Sequence, residues 1–355
     1  MKIPAEYLLK PKEELENRVR EIKGKLGEDL LIICHHYQKD EVYQFADVTG
    51  DSLYLAQEAQ KNKKSKYIVF CGVHFMAETA DMLTEDWQKV YLPDEAAGCF
   101  MADMANGEEL RDAWGILTKK YGNTILPITY VNSTAEVKAF VGEHGGVCVT
   151  STNAPKIVKW ALEQKQRILF LPDQHLGRNT TFELGIPLEQ MSLWDRVNKI
   201  EKGAQDSKVI LWNGYCSVHQ QFTMANVDKI RKDHPETKII VHPECQFDVV
   251  QAADQSGSTN KLLKIVDEAP EGSSFAVGTD NNLVDRLTRK YAGKKEVMRL
   301  NQISCACVTM NRIKLPHLVW NLENILAGSD IQRITVDRAT KESALKSLEK
   351  MMELS

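Results

Sequence analysis

The sequence predicts an α/β fold: three homologous three-layer αβα domains with short parallel sheets, set about a pseudo-threefold axis with the active site at the centre. Three observations lead there. Short apolar, β-branched runs alternate with amphipathic runs along the chain, the pattern of parallel α/β units. The strand-like runs end in polar tips, where open α/β sheets place ligands. The same order of strand, tip, helix, hydroxyl-led helix start, second strand, third strand and cysteine also occurs three times, in units of roughly 90 to 110 residues.

The first unit follows an exposed amphipathic helix over residues 11–26, which has Pro11 at its start. Leu30-Leu31-Ile32-Ile33-Cys34 reads as a buried strand with the tip His35-His36-Tyr37-Gln38. A helix is expected over about 40–48, and Thr49-Gly50-Asp51-Ser52 opens another over 53–60. Residues 67–71 form a second strand with the tip 72–75, and residues 89–92 a third whose loop delivers Cys99. In the middle unit, residues 124–132 give a strand and tip, and Thr150-Ser151-Thr152-Asn153 opens a helix reaching Glu163. Residues 167–171 form a strand tipped by 172–175, and the strand 208–212 leads through Asn213-Gly214-Tyr215 to Cys216. Residues 177–206, which include Trp194, are expected to be a surface insertion. The last unit has the strand Ile239-Ile240-Val241, a tip forced irregular by Pro243, and Gly257-Ser258-Thr259 before an amphipathic helix. Residues 274–277 and 297–300 are its other strands, and Cys305 follows. Helices over about 316–326 and 340–353 end the chain. The expected domains are 1–111, 112–220 with the insertion 177–206, 221–310, and a C-terminal segment 311–355 packing back on the body.

A chain of 355 residues, 43% hydrophobic and 26% charged, can bury a large core. Its formal net charge of −4 implies no nucleic-acid partner. No apolar run reaches the roughly 20 residues of a membrane helix, so no membrane partner is expected. The charged start lacks a signal-peptide core, which points to the cytoplasm. Eight cysteines in that setting are core residues or ligands and not disulfides. There is no CxxC and no HExxH, so any metal centre must draw on distant segments.

Cys99, Cys216 and Cys305 stand ten, eight and nine residues after positions 89, 208 and 296, where the third strand of each unit begins or is about to begin. Three thiolates meeting at one point, with no fourth ligand, suit a cubane iron–sulfur cluster with one open iron, a Lewis acid. A Cys₃ zinc site is the competing reading, and packed core cysteines are the plain one. With metal but no turnover, the protein would be an iron–sulfur or zinc sensor or binding protein. Cys305-Ala306-Cys307 as a redox dithiol is a third possibility. A lining of hydroxyls, histidines and a glutamate argues for an enzyme. Tyr37 and Ser52 are fifteen residues apart, as are Glu244 and Thr259, which puts the same tip and helix start in different units.

Several motifs resemble the quinolinate synthase family, over nearly the whole chain. They are His35-His36-Tyr37-Gln38, Gly50-Asp51-Ser52-Leu53, Ala97-Gly98-Cys99-Phe100-Met101-Ala102, Tyr130-Val131-Asn132-Ser133 and Thr150-Ser151-Thr152-Asn153-Ala154. Asn213-Gly214-Tyr215-Cys216-Ser217-Val218-His219, His242-Pro243-Glu244-Cys245, Gly257-Ser258-Thr259 and Met310-Asn311 complete the set. The resemblance implies three αβα domains around a [4Fe–4S] cluster with three Cys ligands, Cys99, Cys216 and Cys305, and one open iron. The repeat leaves Cys305 and Cys307 open as the third ligand; distance to Met310-Asn311 favours Cys305 in the family pattern. The implied reaction joins iminoaspartate and dihydroxyacetone phosphate to give quinolinate, phosphate and two waters, in de novo NAD biosynthesis. It implies a functional link to the enzyme that supplies iminoaspartate. The substrate-contacting positions carried over are His35, Tyr37, Ser52, Tyr130, Asn132, Ser151, His242, Glu244 and Thr259.

The expected roles follow from residue chemistry. Glu244 is the general acid/base, Tyr37 a proton relay, and His242 and His35 orient substrate. Tyr130 and Asn132 hydrogen-bond carboxylate or hydroxyl groups. Ser52, Ser151, Ser258 and Thr259 start helices that can hold phosphate or carboxylate. Cys34, Cys71, Cys148 and Cys245 are read as core, and His74 and His175 as buried polar residues.

Overall fold

The computed structural model describes residues 2–204, 206–303 and 305–355. In chain order the first repeat has α1 (Ala5–Leu9), α2 (Lys12–Leu26), β1 (Leu30–His35), α3 (Asp40–Tyr43), β2 (Val48–Gly50), α4 (Ser52–Lys61), β3 (Tyr67–Cys71), α5 (His74–Leu83) and β4 (Lys89–Tyr91). The second has α6 (Gly107–Tyr121), β5 (Ile125–Tyr130), α7 (Ala135–Glu143), β6 (Val147–Val149), α8 (Ala154–Gln164), β7 (Arg167–Leu171), α9 (Gln174–Glu183), β8 (Met191–Asp195), β9 (Ile200–Gly203) and β10 (Val209–Trp212). The third has α10 (Met224–Asp233), β11 (Lys238–Val241), α11 (Phe247–Ala252), β12 (Gln255–Ser256), α12 (Thr259–Glu268), β13 (Ser274–Gly278), α13 (Asn281–Lys290) and β14 (Glu296–Arg299). The chain ends with α14 (Leu315–Leu326), β15 (Arg333–Ile334) and α15 (Arg338–Leu354). The three sheets are mostly parallel and flanked by helices, as three αβα layers require.

The chain divides into two compact units. Met1–Cys99 and Ala306–Asp337 form the first. Its sheet has the order β15-β4-β3-β1-β2. Every residue of β1 is buried, because a central parallel strand is covered on both faces. β15 pairs antiparallel with β4 and closes that edge. In α2, Leu15, Val19 and Ile22 are buried on one stripe, and the helix packs against α14.

Phe100–Cys305 and Arg338–Ser355 form the second unit. It holds a six-stranded sheet, β6-β5-β7-β10-β8-β9, and a four-stranded one, β12-β11-β13-β14. One core of this unit gathers Leu110, Leu117, Val137, Leu169, Trp194 and Trp212, with Trp212 Nε1 donating to the Met104 carbonyl at 2.7 Å. α15 packs along α7 and reaches β6. The approach is close at Gly142, where a Cβ would collide with the Ser343 carbonyl oxygen.

Two expectations are corrected. The helix foreseen over 40–48 stops at Tyr43. Asp47 then pairs with β1: its amide donates to Ile32 O at 2.8 Å and its Oδ2 accepts from Ile32 N at 2.9 Å. That pairing starts the edge strand β2 at Val48. Asp254 does the same for Ile239 in the third repeat, through 2.8 and 2.6 Å contacts. The stretch 177–206 is also no simple surface insertion. It begins inside α9, and β8 lies in the sheet beside β10 with Trp194 buried against the core. Among the described residues, no helix is long and apolar enough to cross a membrane.

Steric limits on α7 and α15 give a direct test. Gly142→Ala is expected to lower stability by about 1–3 kcal/mol, because the added methyl meets backbone that cannot rotate away. Gly115→Ala, in an open stretch of α6, should instead raise stability by up to about 1 kcal/mol. Urea unfolding midpoints read both; a neutral Gly142→Ala contradicts the close packing.

Candidate active site

The second unit collects its chemistry at strand tips and the loops after them. β11 ends at Val241, and His242 continues the ladder by donating its N–H to Gly278 O. Pro243 breaks the pattern, and the chain turns so that the Glu244 amide donates back to His242 Nδ1 at 3.3 Å. A ring nitrogen that accepts must be unprotonated, so His242 carries its proton on Nε2. Asn179 on α9 clamps this tip, its Nδ2 donating to Pro243 O at 2.9 Å and Cys245 O at 3.0 Å.

Glu244 is 3% exposed. Its Oε2 lies 2.9 Å from His219 Nδ1, and its Oε1 lies 3.7 Å from His242 Nδ1. His219 and His242 stack with centroids 4.6 Å apart. His219 Nε2 meets Thr279 Oγ1 at 3.2 Å. Burial alone would raise the Glu244 pKa, but the adjacent His219 and hydrogen bonds from His219 and Tyr130 outweigh it and hold the carboxyl below its ordinary range. Burial pushes His242 down to about 3, so its ring is neutral at pH 7. Cys216 joins this group: one ligand atom each from Cys216, His219 and Glu244 lies within 4.8 Å of the others.

A cleft of about 550 Å³ is lined by Ser151, Thr152, Asn179, Pro243, Gly257, Ser258 and Lys261, among others. Ser258 caps α12, its Oγ accepting from Lys261 N at 3.4 Å, and Thr259 is the first helical residue. Ser151 sits in the turn before α8, where Asn153 Oδ1 accepts from Thr150 N at 2.7 Å. Asn132 follows β5, and its Oδ1 is buried without a hydrogen-bond partner among the described residues. Cys305 is buried, and its N–H donates to Asn281 Oδ1 at 2.9 Å in the amide orientation that satisfies both groups of Asn281.

The other expected residues lie in the first unit. His35 is buried, and its Nδ1 accepts from the Tyr37 amide at 3.1 Å, the arrangement His242 makes with Glu244. The His35 and Tyr37 rings meet edge to face at 4.7 Å. Asp51, not Ser52, caps α4 by accepting from Tyr54 N at 3.0 Å, and Ser52 is the first helical residue. Cys99 is half-buried.

Glu244 is buried at the β11 tip, and its partner His219 is a residue the sequence did not single out. The only signal for His219 was its place three residues after Cys216, inside a quoted motif. Asp173 was also missed. It is fully buried, its Oδ1 caps α9 through His175 N and Leu176 N, and burial together with the Glu244 charge pushes its pKa well up. His175 is buried as expected and meets Gln220 Oε1 at 2.9 Å. His74 is not: its side chain is 44% exposed and faces Glu78, because α5 turns it outward.

Polar groups buried at strand tips, next to a half-buried thiol and a polar cleft, define an α/β enzyme with a candidate metal-binding corner. The chain matches the family model described as "Quinolinate synthetase A protein" over residues 17–353. It is 59% identical to the quinolinate synthase of Listeria innocua over 356 residues, covering 99% of this chain and 97% of the relative. It is 56% identical to that of Anoxybacillus flavithermus over 353 residues (99% and 96%) and 55% identical to that of Bacillus cereus over 354 residues (99% and 96%). The chain belongs to the quinolinate synthase (NadA) family, an enzyme family of NAD biosynthesis.

Burial of the two histidines sets a pH dependence. Burial lowers His242 to about 3 and, with the Arg178 charge, His175 to about 4. Below pH 6.5 the unfolded chain therefore takes up protons that the folded chain refuses. Stability should be fully present above pH 6.5 and fall as pH drops towards 4, by up to about 1.4 kcal/mol per unit for each histidine. Asp173, whose pKa is raised, works in the opposite sense. Chemical denaturation at pH 6.5 and 4.5 should show a smaller drop for His242→Gln than for the native sequence; equal drops contradict the burial argument.

Proposed function

We propose that this chain condenses iminoaspartate with dihydroxyacetone phosphate to form quinolinate, releasing phosphate and two waters. What carries this reading is the buried Glu244–His219 pair beside Cys216, in a chain of the quinolinate synthase family. The equation balances without an external oxidant or reductant, so the site needs proton transfer and charge stabilisation, not electron transfer.

A [4Fe–4S] cluster held by Cys99, Cys216 and Cys305 fits the donor set. All three side chains can supply a thiolate to a cluster. Burial and the Asp280 charge push the Cys305 thiol up, with Arg299 opposing, so the thiolate needs a cation beside it to ionise. When bound, the cluster supplies an open iron, a Lewis acid for a substrate oxygen. The side chains do the rest. Glu244, ionised and held by His219 and Tyr130, takes and returns protons during condensation and loss of water. His242 presents Nε2–H as a neutral donor. Ser258, Thr259 and Ser151 line or flank the cleft and hold phosphate or carboxylate, with the α12 N-terminus contributing amide dipoles. Tyr130 and Asn132 orient substrate oxygens. His35 and Ser52 are assigned to substrate contact and Tyr37 to relaying a proton, as the family resemblance implies. The partner enzyme is one that oxidises the amine of aspartate to the imine, and both act in the cytoplasm.

Two measurements test this. Protein purified without oxygen should hold about four iron and four sulfide per chain, lost in Cys216→Ala; stoichiometric zinc with no iron contradicts the cluster. Glu244→Gln should keep the iron and lose about 10²–10⁴-fold in quinolinate formation. Full activity in that variant removes Glu244 from its role.

A further inference from the structure

Cys216 and His219 share one turn, closed by Gln220 N donating to Cys216 O at 2.9 Å, so their side chains project to one side. Glu244 faces them from the β11 tip. The three supply one sulfur, one nitrogen and one oxygen, all within 4.8 Å of one another. That spacing closes on a single ion, and the mixed soft and hard set suits a zinc-class dication and not magnesium or calcium. A second feature points the same way. A ligating histidine is normally fixed by a partner on its other ring nitrogen. His219 has one: Nε2 is 3.2 Å from Oγ1 of the fully buried Thr279.

We propose that, before any cluster is installed, Cys216, His219 and Glu244 form a mononuclear site for a zinc-class divalent cation, and that this ion and the cluster exclude each other. The exclusion rests on Cys216 being a cluster ligand, as proposed above; the mononuclear site does not. Binding exchanges a proton for the metal. In the metal-free chain the hydrogen bond joins His219 Nδ1 to Glu244 Oε2. With the metal on Nδ1, the ring proton resides on Nε2 and is donated to Thr279 Oγ1. The Cys216 thiol releases its proton to solvent, and the ion lies between sulfur, Nδ1 and a Glu244 oxygen, with a water fourth. Such an ion compensates the buried Glu244 charge, so the site loses little to desolvation. It also ties up the group assigned to proton transfer, which makes the zinc form inactive.

Cobalt(II) is the probe, because a thiolate ligand gives it an intense near-ultraviolet charge-transfer band. The cluster-free full chain, titrated without oxygen, should develop that band with a single cobalt bound, and zinc should erase it. Cys216→Ser and His219→Gln should lose it, while Cys99→Ser and Cys305→Ser keep it. Thr279→Val, close in shape to the native residue, should keep the band and weaken cobalt binding about 10–100-fold; it carries the test should His219→Gln not fold. A band that survives Cys216→Ser, disappears in Cys99→Ser or is indifferent to Thr279→Val overturns the site. Zinc-loaded chain should then take up less iron and sulfide than unloaded chain on reconstitution, and equal uptake overturns the exclusion. If the unloaded chain takes up no cluster at all, the proposed function fails while the cobalt result stands on its own.

Discussion

A charge held away from water governs the second unit. An ionised carboxylate at 3% exposure costs several kcal/mol unless partners replace its water. Glu244 finds them in two distant segments: His219 in the loop after β10 and Tyr130 at the end of β5. Neither can be moved without exposing or orphaning the charge. The clamp from Asn179 on α9 then has a reason, since it fixes the two carbonyls either side of the glutamate. A site held this way is organised before substrate arrives, which is the condition for electrostatic catalysis.

The tips also show one scaffold used for different chemistry. In the first and third repeats, a histidine at the strand end accepts on Nδ1 from the amide two residues on. The backbone turn and tautomer are the same, yet the residue two on is Tyr37 in one case and Glu244 in the other. Asp47 and Asp254 support the preceding strand identically, each bonding both backbone groups of one strand residue. In the middle repeat, Tyr130 and Asn132 take the histidine and second positions. The backbone repeats, and the side chains at fixed places divide the work.

Much of this was legible in sequence, for physical reasons that also mark its limits. Buried parallel strands are short and β-branched, so β1, β7 and β11 could be read directly. Helix starts were less exact, because several polar residues in one turn can each cap: Asp51 and not Ser52 does so for α4. The end of α3 was missed because Asp47 bonds across to another strand, a tertiary choice that no local period records. Trp194 looked like an insertion residue, since β8 joins the sheet through parallel pairing with a later strand. His219 was hardest. Its partner lies 25 residues on and its second partner 60, and only folding brings them together.

Burial also sorts the cysteines, with one instructive exception. Cys34, Cys71, Cys148 and Cys245 are fully buried. Desolvation raises Cys148 to about 11 and Cys245 well above the ordinary thiol range, so both stay protonated and inert. Cys99 and Cys216 are half-buried. Cys305 is buried like the first group, while Cys307 is half-buried like the second. Exposure alone would therefore favour Cys307 as a ligand. The two also differ in their surroundings: the Cys305 amide is fixed by Asn281, and Arg299 opposes the rise that burial and Asp280 impose on its thiol. Cys307 faces Thr309 Oγ1 at 3.4 Å in the first unit. A thiol that burial keeps neutral is a poor nucleophile, and in the proposed cluster site that property would protect Cys305 from oxidation until a cation favours its thiolate.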